Sequence, residues 1–486
     1  MTVDLDTIMA WAKRNGFVYP GSDIYDGLAN AWDMWPYGTL LKKNIEKLWW
    51  QEFQQKRDDM LALDAQIFMD SKVWKASGHL DDFSDPLIDC KNCNNRQRVD
   101  KMIEAIMEKL RKEKTDEQIQ KDFSDMLGVD NLVPESWTHE QMLDAMDKLD
   151  INCPVCGAND WTEIREFKLM FETHQGVIKD ESTKVYLRPE TAQWIFVNFK
   201  NVLDTTRQQL PFGIAQTGKA FRNEITPGKF LFRPREFEQM EIEYFVKPWN
   251  EDERLEKWKD LSQKWWIETI GINPENIKFR QQDKDELAHY STGTYDVEYN
   301  FPWGWDELQW VASRTDFDLN AHMEDSDTDL RYTDPYTGKK YTPYVIEPSW
   351  GLTRAVCAAM FDAYEDETYE DNRWNEKQRT VLHFDKKIAP IKFAIFPLSK
   401  KKDEIVDIAK EINQKLSQKY QCKLDMKGSI GKRYRRQDEI WTPFCITVDF
   451  DSIEDGSVTI RDRDSMKQIR VQPEELEEFM EDRQVV

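Results

Sequence analysis

Arginine, carboxylate and aromatic residues alternate along one short stretch, Gln216 to Tyr244, whose spacing suits two strands joined by a mobile basic loop. Residues two apart in a strand share a face, so Arg222 and Glu224 are expected to point the same way. On the second strand Met240, Ile242, Tyr244 and Val246 form an apolar face, and Phe237, Gln239, Glu241 and Glu243 form the other. Such a pair reads as a binding surface with a core beneath it. Arginine holds phosphate through two aligned donors and stays charged at any cellular pH, which nominates Arg222, Arg233 and Arg235. A carboxylate can accept from an amino-purine, and Phe237 offers a flat face to a base. The chemistry suggested is that of a nucleoside triphosphate. Taken alone, the hairpin also fits arginines and glutamates that bridge the strands as surface ion pairs.

The second chemical signal is sulfur. Cys90-Lys-Asn-Cys93 and Cys153-Pro-Val-Cys156 flank a charged, helix-forming segment (101 to 148). Two C-x-x-C knuckles complete a closed, tetrahedral, structural zinc site. Their separation exceeds that of a compact zinc ribbon, so the helices between them must fold back as an inserted lobe; the alternative is two knuckles without metal. Seven cysteines, four of them so paired, suit a reducing compartment better than a disulfide framework.

The elements that must position these groups follow from length and periodicity. A chain of 486 residues holds about two to four domains. Its net charge of -24 excludes nucleic-acid binding through an overall positive field and leaves that work to local patches. The start, Met-Thr-Val-Asp-Leu-Asp, lacks the features of a signal peptide, and no apolar run could span a bilayer, so a cytoplasmic protein is expected. Leu5, Ile8, Met9 and Ala12 predict a helix over 4 to 15, and Leu40 to Phe53 a second whose Trp49-Trp50 pair reads as core. Tyr186-Leu-Arg-Pro-Glu-Thr-Ala-Gln193 reads as a strand end feeding a helix. After a helical stretch at 251 to 270 come Glu286-Leu-Ala-His-Tyr290, Gly304-Trp-Asp-Glu-Leu308 and Ser313-Arg-Thr-Asp-Phe-Asp-Leu319. Gly351-Leu-Thr-Arg354 opens a helix with Leu352, Ala355, Val356, Ala359 and Met360 on one face, and sets Arg354 at its positive end. From 388 strand and helix alternate: 390 to 397, Asp403 to Tyr420, then Phe444 to Asp449. That pattern predicts a small three-layer α/β domain. Lys427 to Arg436 is a basic island with a tyrosine, read either as a loop that touches RNA or as solvated surface.

Phe-Arg-Asn-Glu224 followed by Phe232-Arg-x-Arg-Glu-Phe-Glu-Gln-Met-Glu241 resembles motif 2 of the class II aminoacyl-tRNA synthetases, in the form found in homodimeric glycyl-tRNA synthetases. Gly16 to Gly38 with the helix after it resembles motif 1, which in that class builds the dimer interface, and Gly351 to Arg354 resembles motif 3. The resemblance covers nearly the whole chain. It implies an α/β multidomain (α+β) fold: a class II catalytic domain on an antiparallel sheet over 1-385, an inserted zinc-binding helical lobe at about 85-165, and an anticodon-binding domain over 388-486.

The implied reaction joins glycine to tRNA-Gly through a glycyl-adenylate, with ATP and magnesium, in a homodimer that needs neither membrane nor DNA. Positioning and charge neutralisation dominate such chemistry. Carried over residue by residue, the resemblance makes Arg222, Glu224 and Arg354 catalytic. It adds Asn223, Phe232, Arg233, Arg235, Glu236, Phe237, Glu307, Leu308 and Gly351 as further ATP contacts, and Glu307 or Glu347 as magnesium ligands. To glycine it assigns Arg98, Glu190, Phe237, Gln239, Glu241, Glu347, Ser349 and Gly351. Arg98 comes from Arg96-x-Arg-x-Asp100, which alone also reads as a solvated charge run; lone acids such as Glu307 are commonly solvated too. Glycine has no side chain to grip, so its site must satisfy ammonium and carboxylate and leave no room for a Cβ. Two alternatives stand beside this reading: a class IIa synthetase for another amino acid, and a non-catalytic, synthetase-like RNA-binding or polymerase accessory subunit.

Tryptophan and glycine are equally numerous, at 19 each, although average usage predicts roughly 34 glycines. Trp35, Trp194, Trp310 and Trp441 stand where the resemblance implies glycine, and Trp249 is a further instance. Exchange of glycine for tryptophan overpacks a tight turn. The pattern suggests a gene that reads UGA as glycine; a divergent lineage with true tryptophans is the alternative.

Overall fold

Short polar residues mark where the helices begin. In the computed structural model, which describes residues 3–283, 287–288, 291–370 and 376–481, Asp4 caps Leu5–Asn15 (α1) by accepting from the Thr7 amide, and Gly16 ends it at φ 77°. Glu286, His289 and Tyr290 of the string noted above lie outside the described residues. Pro36 opens Pro36–Trp50 (α2), which buries Leu41, Ile45 and Trp49. A wider turn over Gln51–Gln55 continues its path, so Phe53 and Trp49 both pack on Trp350. A short strand, Met60–Ala62 (β1), follows.

Between 84 and 168 the chain forms a lobe. Ser84–Asp89 pairs antiparallel with Arg96–Arg98 and with Arg165–Lys168. Three helices fill the space between: Val99–Leu110 (α3), Asp116–Leu127 (α4) and His139–Lys148 (α5). Thr115 with Gln118 and Thr138 with Gln141 close reciprocal caps at the starts of α4 and α5. Ile103, Met107, Phe123, Trp137 and Met146 give the lobe its own apolar core.

Ala192–Thr206 (α6) returns the chain to the central sheet. Its further strands are Phe212–Phe221 (β2), Glu236–Val246 (β3), Ile277–Gln281 (β4), Gly293–Phe301 (β5), Gly304–Thr315 (β6) and Tyr344–Gly351 (β7), in the order β4-β5-β6-β7-β3-β2-β1. All pairs are antiparallel except β2 with β1. Leu352–Ala363 (α7) lies across one face with Leu352, Ala355, Val356, Ala359 and Met360 buried. Met240, Ile242 and Tyr244 of β3 face the same core, as their alternation predicts. Gln239, Glu241 and Glu243 point to the opposite side, yet they too are buried.

One local expectation changes. Arg222 and Glu224 do not alternate along a strand, because β2 ends at Phe221. The Arg222 amide donates to the Arg235 carbonyl and the chain then turns sharply, the Glu224 amide reaching back to the Arg222 carbonyl at 2.7 Å. Their convergence is a product of the loop.

The C-terminal layer holds Phe393–Pro397 (β8), Asp403–Leu416 (α8), Cys422–Leu424 (β9), Ile430–Glu439 (α9), Phe444–Val448 (β10), Val458–Asp462 (β11) and Gln468–Val471 (β12), with sheet order β9-β8-β10-β11-β12. The helix predicted to Tyr420 stops at Leu416, where Ser417 caps it. The basic island is a turn over 427–429 followed by the helix α9 from Ile430, and its arginines serve the fold. Arg433 is buried and donates to the Pro397 and Asp425 carbonyls, Arg436 pairs with Asp425 at 2.6 Å, and Arg435 donates to the Gln378 carbonyl. No helix among the described residues is long and apolar enough to cross a membrane.

The two layers meet at buried charge. Asp438 on α9 accepts from Arg461 at 2.8 and 3.1 Å and from Arg379, on the hairpin before the second layer, at 3.1 Å. Asp438→Ala would remove the carboxylate that Arg461 pairs with and one of the two that Arg379 holds, Glu367 at 2.8 Å being the other, at a cost of about 3–5 kcal/mol. Urea denaturation should show the C-terminal layer unfolding ahead of the central sheet in this variant; an unchanged midpoint would refute the assignment.

Candidate active site

The loop between β2 and β3 folds over the edge of the sheet and is pinned there by Asn30, whose amide donates to the carbonyls of Gly228, Phe230 and Arg233 at 2.9 to 3.1 Å. Beneath it lies a cavity of about 220 Å³ that ten of the nominated residues line: Arg222, Glu224, Phe232, Arg233, Phe237, Gln239, Glu307, Leu308, Gly351 and Arg354. Arg222 rests between the faces of Phe83 and Phe237, 5.4 Å from each ring centre, and donates to the Pro189 carbonyl. Arg233 stands 3.3 Å from the Glu224 carboxylate. Arg354, in the first turn of α7, pairs with Glu307 at 2.8 Å and lies 4.3 Å from the Phe232 ring centre. Phosphate oxygens can take the place of these carboxylates, since they meet the same donors with more charge.

Sheet register extends the site inward. Trp310 of β6, Ser349 of β7 and Glu241 of β3 stand opposite one another in one row, with Gly351 beside Gln239 in the next. Glu241, Glu243 and Glu347 are buried with carboxylate oxygens within 4.8 Å of one another. Arg314 holds Glu347 at 3.0 Å and Asp318 at 2.8 and 2.9 Å. Glu190 lies 3.4 Å from the His79 ring and accepts from Gln193 at 3.1 Å. Thr191 donates to Glu241, whose other oxygen makes no close hydrogen bond; the Ser349 hydroxyl, across the strand pair, makes no close bond either but acts on that carboxyl. The dry end of the cleft therefore collects carboxylates and a hydroxyl with acceptor capacity to spare.

Burial sets these groups apart in charge. It works to raise Glu190, but His79, Arg314 and Gln193 outweigh it and hold that carboxyl well below the usual range. At Glu241 burial acts together with the charges of Glu347 and Glu190 and pushes the carboxyl up to about 8. Glu243 is pushed well up by burial and by Glu347, whereas Glu347, also raised by burial, is opposed by Arg314.

Three family models match consecutive parts of the chain: the glycyl-tRNA synthetase insertion domain 1 at residues 85–145, the tRNA synthetase class II core domain (G, H, P, S and T) at 171–362, and the anticodon binding domain at 392–483. A glycine–tRNA ligase of Clostridium acetobutylicum is 51% identical over 479 residues, covering 99% of this chain and 98% of that protein. The chain belongs to the glycine–tRNA ligases. The glycine–tRNA ligase of Caldanaerobacter subterraneus subsp. tengcongensis is 50% identical over 99% of this chain and 98% of its own, and that of Staphylococcus aureus strain bovine RF122 / ET3-1 is 50% identical over 99% of each. A prolyl-tRNA synthetase from Cryptosporidium parvum, solved with L-proline and AMP, shares the fold at a TM-score of 0.60 and 14% identity, over 99% of this chain and 78% of that one. As a glycine–tRNA ligase of class II the protein is an ATP-dependent aminoacylating enzyme, and the class generally uses magnesium.

Several nominated residues of this ligase stand elsewhere. Asn223, Arg235 and Glu236 line a neighbouring cavity of about 800 Å³ that shares Phe237 and Thr353 with the first. Glu241, Glu347 and Ser349 lie outside the lining of the smaller cavity, deeper in the sheet, and Glu190, in the turn before α6, lies outside that lining too. Arg98 is outside that lining as well: Asp85 at 3.0 Å, Glu135 at 3.3 Å and Asp100 hold its guanidinium. Sequence reasoning missed His79, Thr191, Gln193, Arg314 and Asp318. Arg314 carried a readable signal: an arginine following Val311-Ala-Ser on a buried strand must be paired, and Asp318 stands four residues on.

The cysteines of the lobe converge as their spacing predicts. Cys90 and Cys156 sulfurs are 3.6 Å apart, Cys93 and Cys153 sulfurs 3.7 Å, and all four lie within 4.8 Å of one another. Zinc bonded to four thiolates at about 2.3 Å sets its sulfurs about 3.8 Å apart, so the donors fit the metal.

The raised carboxyl at Glu241 has a measurable consequence. Its contribution to stability is full below the ordinary value of 4.5 and declines as pH climbs through about 8, where burial keeps an ionised form unpaired. Thermal melts of the free enzyme should fall across that window, and Glu241→Gln should flatten the fall. An unchanged slope in the variant would exclude Glu241 as its source.

Proposed function

We propose that the acidic end of the cleft binds glycine and that the arginine-lined loop binds ATP over it. The observation that carries this reading is the pair of under-satisfied acceptors, Glu241 and Ser349, buried beside Glu190 at the foot of the arginine cluster. A glycine ammonium supplies the donors these groups lack, and its entry favours the ionised form of Glu241. Gln239 and the backbone approach at Gly351 bound the space above. Arg98 reaches the substrate only through a change of partners, with Asp85, Asp100 and Glu135 as its resting contacts.

In the first step a glycine carboxylate oxygen attacks the α-phosphorus of ATP, forming the mixed anhydride and releasing pyrophosphate. Arg222 holds the carboxylate and the α-phosphate, Glu224 accepts from the adenine amino group, and Phe237 stacks on the ring. Arg233 and Arg354 neutralise the outer phosphates, Arg354 from the positive end of α7. Asn223, Phe232, Arg235, Glu236 and Leu308 shape the walls. Magnesium, when bound, would neutralise phosphate charge; Glu307 and Glu347 are each paired with an arginine, and Glu307, on the cavity lining, is better set to hold the ion than the buried Glu347. In the second step the terminal ribose hydroxyl of tRNA-Gly attacks the adenylate carbonyl, and AMP leaves.

The division of the chain at 385 and 388, with an insertion at about 85-165, assigns tRNA anticodon contact to the last segment and leaves the lobe as a zinc-braced structural unit. Exposed Ile24, Tyr25, Leu28 and Trp35 support a homodimer through the segment before α2. Unpaired cysteines suit a cytoplasmic setting.

Exchange of pyrophosphate with ATP tests the reading: glycine alone should support it, and exchange with alanine, serine or proline instead would overturn it. Arg354→Ala should lower exchange about 10²–10³-fold, the effect of removing one positioned transition-state donor. Chelation of zinc, or Cys90→Ser, should unfold the lobe by circular dichroism; a lobe indifferent to both would refute the metal.

A further inference from the structure

Two tryptophans hold backbone conformations that favour glycine. At the end of α9 the Trp441 amide donates to the Asp438 carbonyl at 3.3 Å and the Thr442 amide to the Gln437 carbonyl at 2.9 Å. This pair of bonds closes a helix through a left-handed residue, usually glycine, and Trp441 occupies that position at φ 80°. Its ring is fully buried and stacks on Phe384. In Lys247-Pro-Trp-Asn250 the Asn250 amide donates to the Lys247 carbonyl at 3.2 Å, with Trp249 at φ 73°. A turn with proline second and a positive φ third calls for glycine at the third place, and here the indole projects 84% exposed into solvent.

A third tryptophan obstructs the cleft. Trp310 lines the ATP cavity and shares the cross-strand row of Ser349 and Glu241. The space beside it under the loop is about 220 Å³, short of the roughly 300 Å³ at which ligand pockets begin unless it joins the adjoining cavity of about 800 Å³ through their shared wall at Phe237 and Thr353. Glycine at 310 would open the row. Trp49, by contrast, sits in helical backbone packed edge-on to Trp50 and Trp350, as a native core residue does. The sequence carries as many tryptophans as glycines, 19 of each.

We propose that the protein made in its own cell carries glycine at 249, 310 and 441, where UGA codons are read as glycine, and that its substrates include a glycine tRNA whose anticodon pairs with UGA. UGA lies one base from the glycine codon GGA, and variant codes read it as tryptophan, so one codon connects the two residues. The inference rests on the glycine–tRNA ligase reading: a tRNA that delivers glycine at UGA must first receive glycine. Its anticodon, UCA, differs from the GGA-reading UCC in the last base, so the C-terminal layer must admit adenine or cytosine there. The enzyme would then depend on its own product to be synthesised.

Peptide masses of the protein purified from its own cells should give glycine at 249, 310 and 441 and tryptophan at 49; tryptophan at any of the three overturns the proposal there. In recombinant protein, Trp441→Gly should raise Tm and Trp49→Gly should lower it, whereas a lower Tm from both makes 441 an ordinary core position. The Trp249→Gly/Trp310→Gly/Trp441→Gly protein should charge UCC and UCA transcripts with glycine at comparable rates. Charging of UCC without UCA overturns the tRNA inference and leaves the ligase reading intact; the absence of glycine-dependent pyrophosphate exchange in the same protein overturns the ligase reading itself.

Discussion

A cluster of buried carboxylates lies in the middle of this protein. Glu190, Glu241, Glu243, Glu347 and Asp318 gather about the sheet, where the guanidinium of Arg314 pairs with Glu347 and Asp318 and the ring of His79 stands against Glu190. Ionised carboxylates cannot share a dry site without compensation, so Glu241 and Glu243 hold their protons at pH values where free glutamates have lost theirs. The cluster thus combines carboxyls that keep their protons with others, such as Glu190, that have lost theirs. Glycine is an amino acid with nothing to offer beyond its two charged ends, and a site for it can be built only from such charge and from the exclusion of anything larger.

The rest of the catalytic layer serves this cluster. Period-two alternation on β3 sends apolar residues to the core beneath α7 and carboxylates to the site, so the same strand anchors the fold and supplies the ligands. β7 brings Ser349 and Glu347 alongside in register and, one residue past its end, begins the helix whose first turn presents Arg354. Acidic side chains at one end of the cleft and arginines at the other are thus separated by only a few residues of one strand pair. The outer arginines stay paired with Glu224 and Glu307, which keeps them oriented while leaving partners that a triphosphate can displace.

Away from the cleft the same rule, that buried charge must be matched, holds the chain together. Asp438 joins Arg379 and Arg461 across the boundary between layers, and the arginines of α9 brace their own domain. The overall negative charge therefore does not bar local basic work, but much of the basic island is spent on structure. In the lobe, four sulfurs at metal-bonding separations tie the two ends of a long insertion, so three capped helices can form a unit with a core of its own.

Much of this was legible in the residues. The alternation on β3, the two C-x-x-C knuckles, the helix opened by Gly351, the strand and helix alternation after 388 and the resemblance of the motifs to one family of ligases each rest on local periodicity or on types at fixed spacing. What the tertiary structure decided is everything that depends on which distant groups share a dry volume. Arg98 looked available but three carboxylates hold it; Lys427 to Arg436 looked like a loop but from Ile430 forms a helix that buries Arg433; Arg222 and Glu224 meet through a turn that no strand rule describes. Arg314, His79 and Gln193 entered the site only once the sheet and α6 were stacked. Composition raised the question of the tryptophans, and backbone angles at 249 and 441 gave it a location. The physical reason is the same throughout: periodicity fixes which way a side chain points, but charge, proton and steric room are properties of a neighbourhood, and folding alone assembles that from residues far apart in the chain.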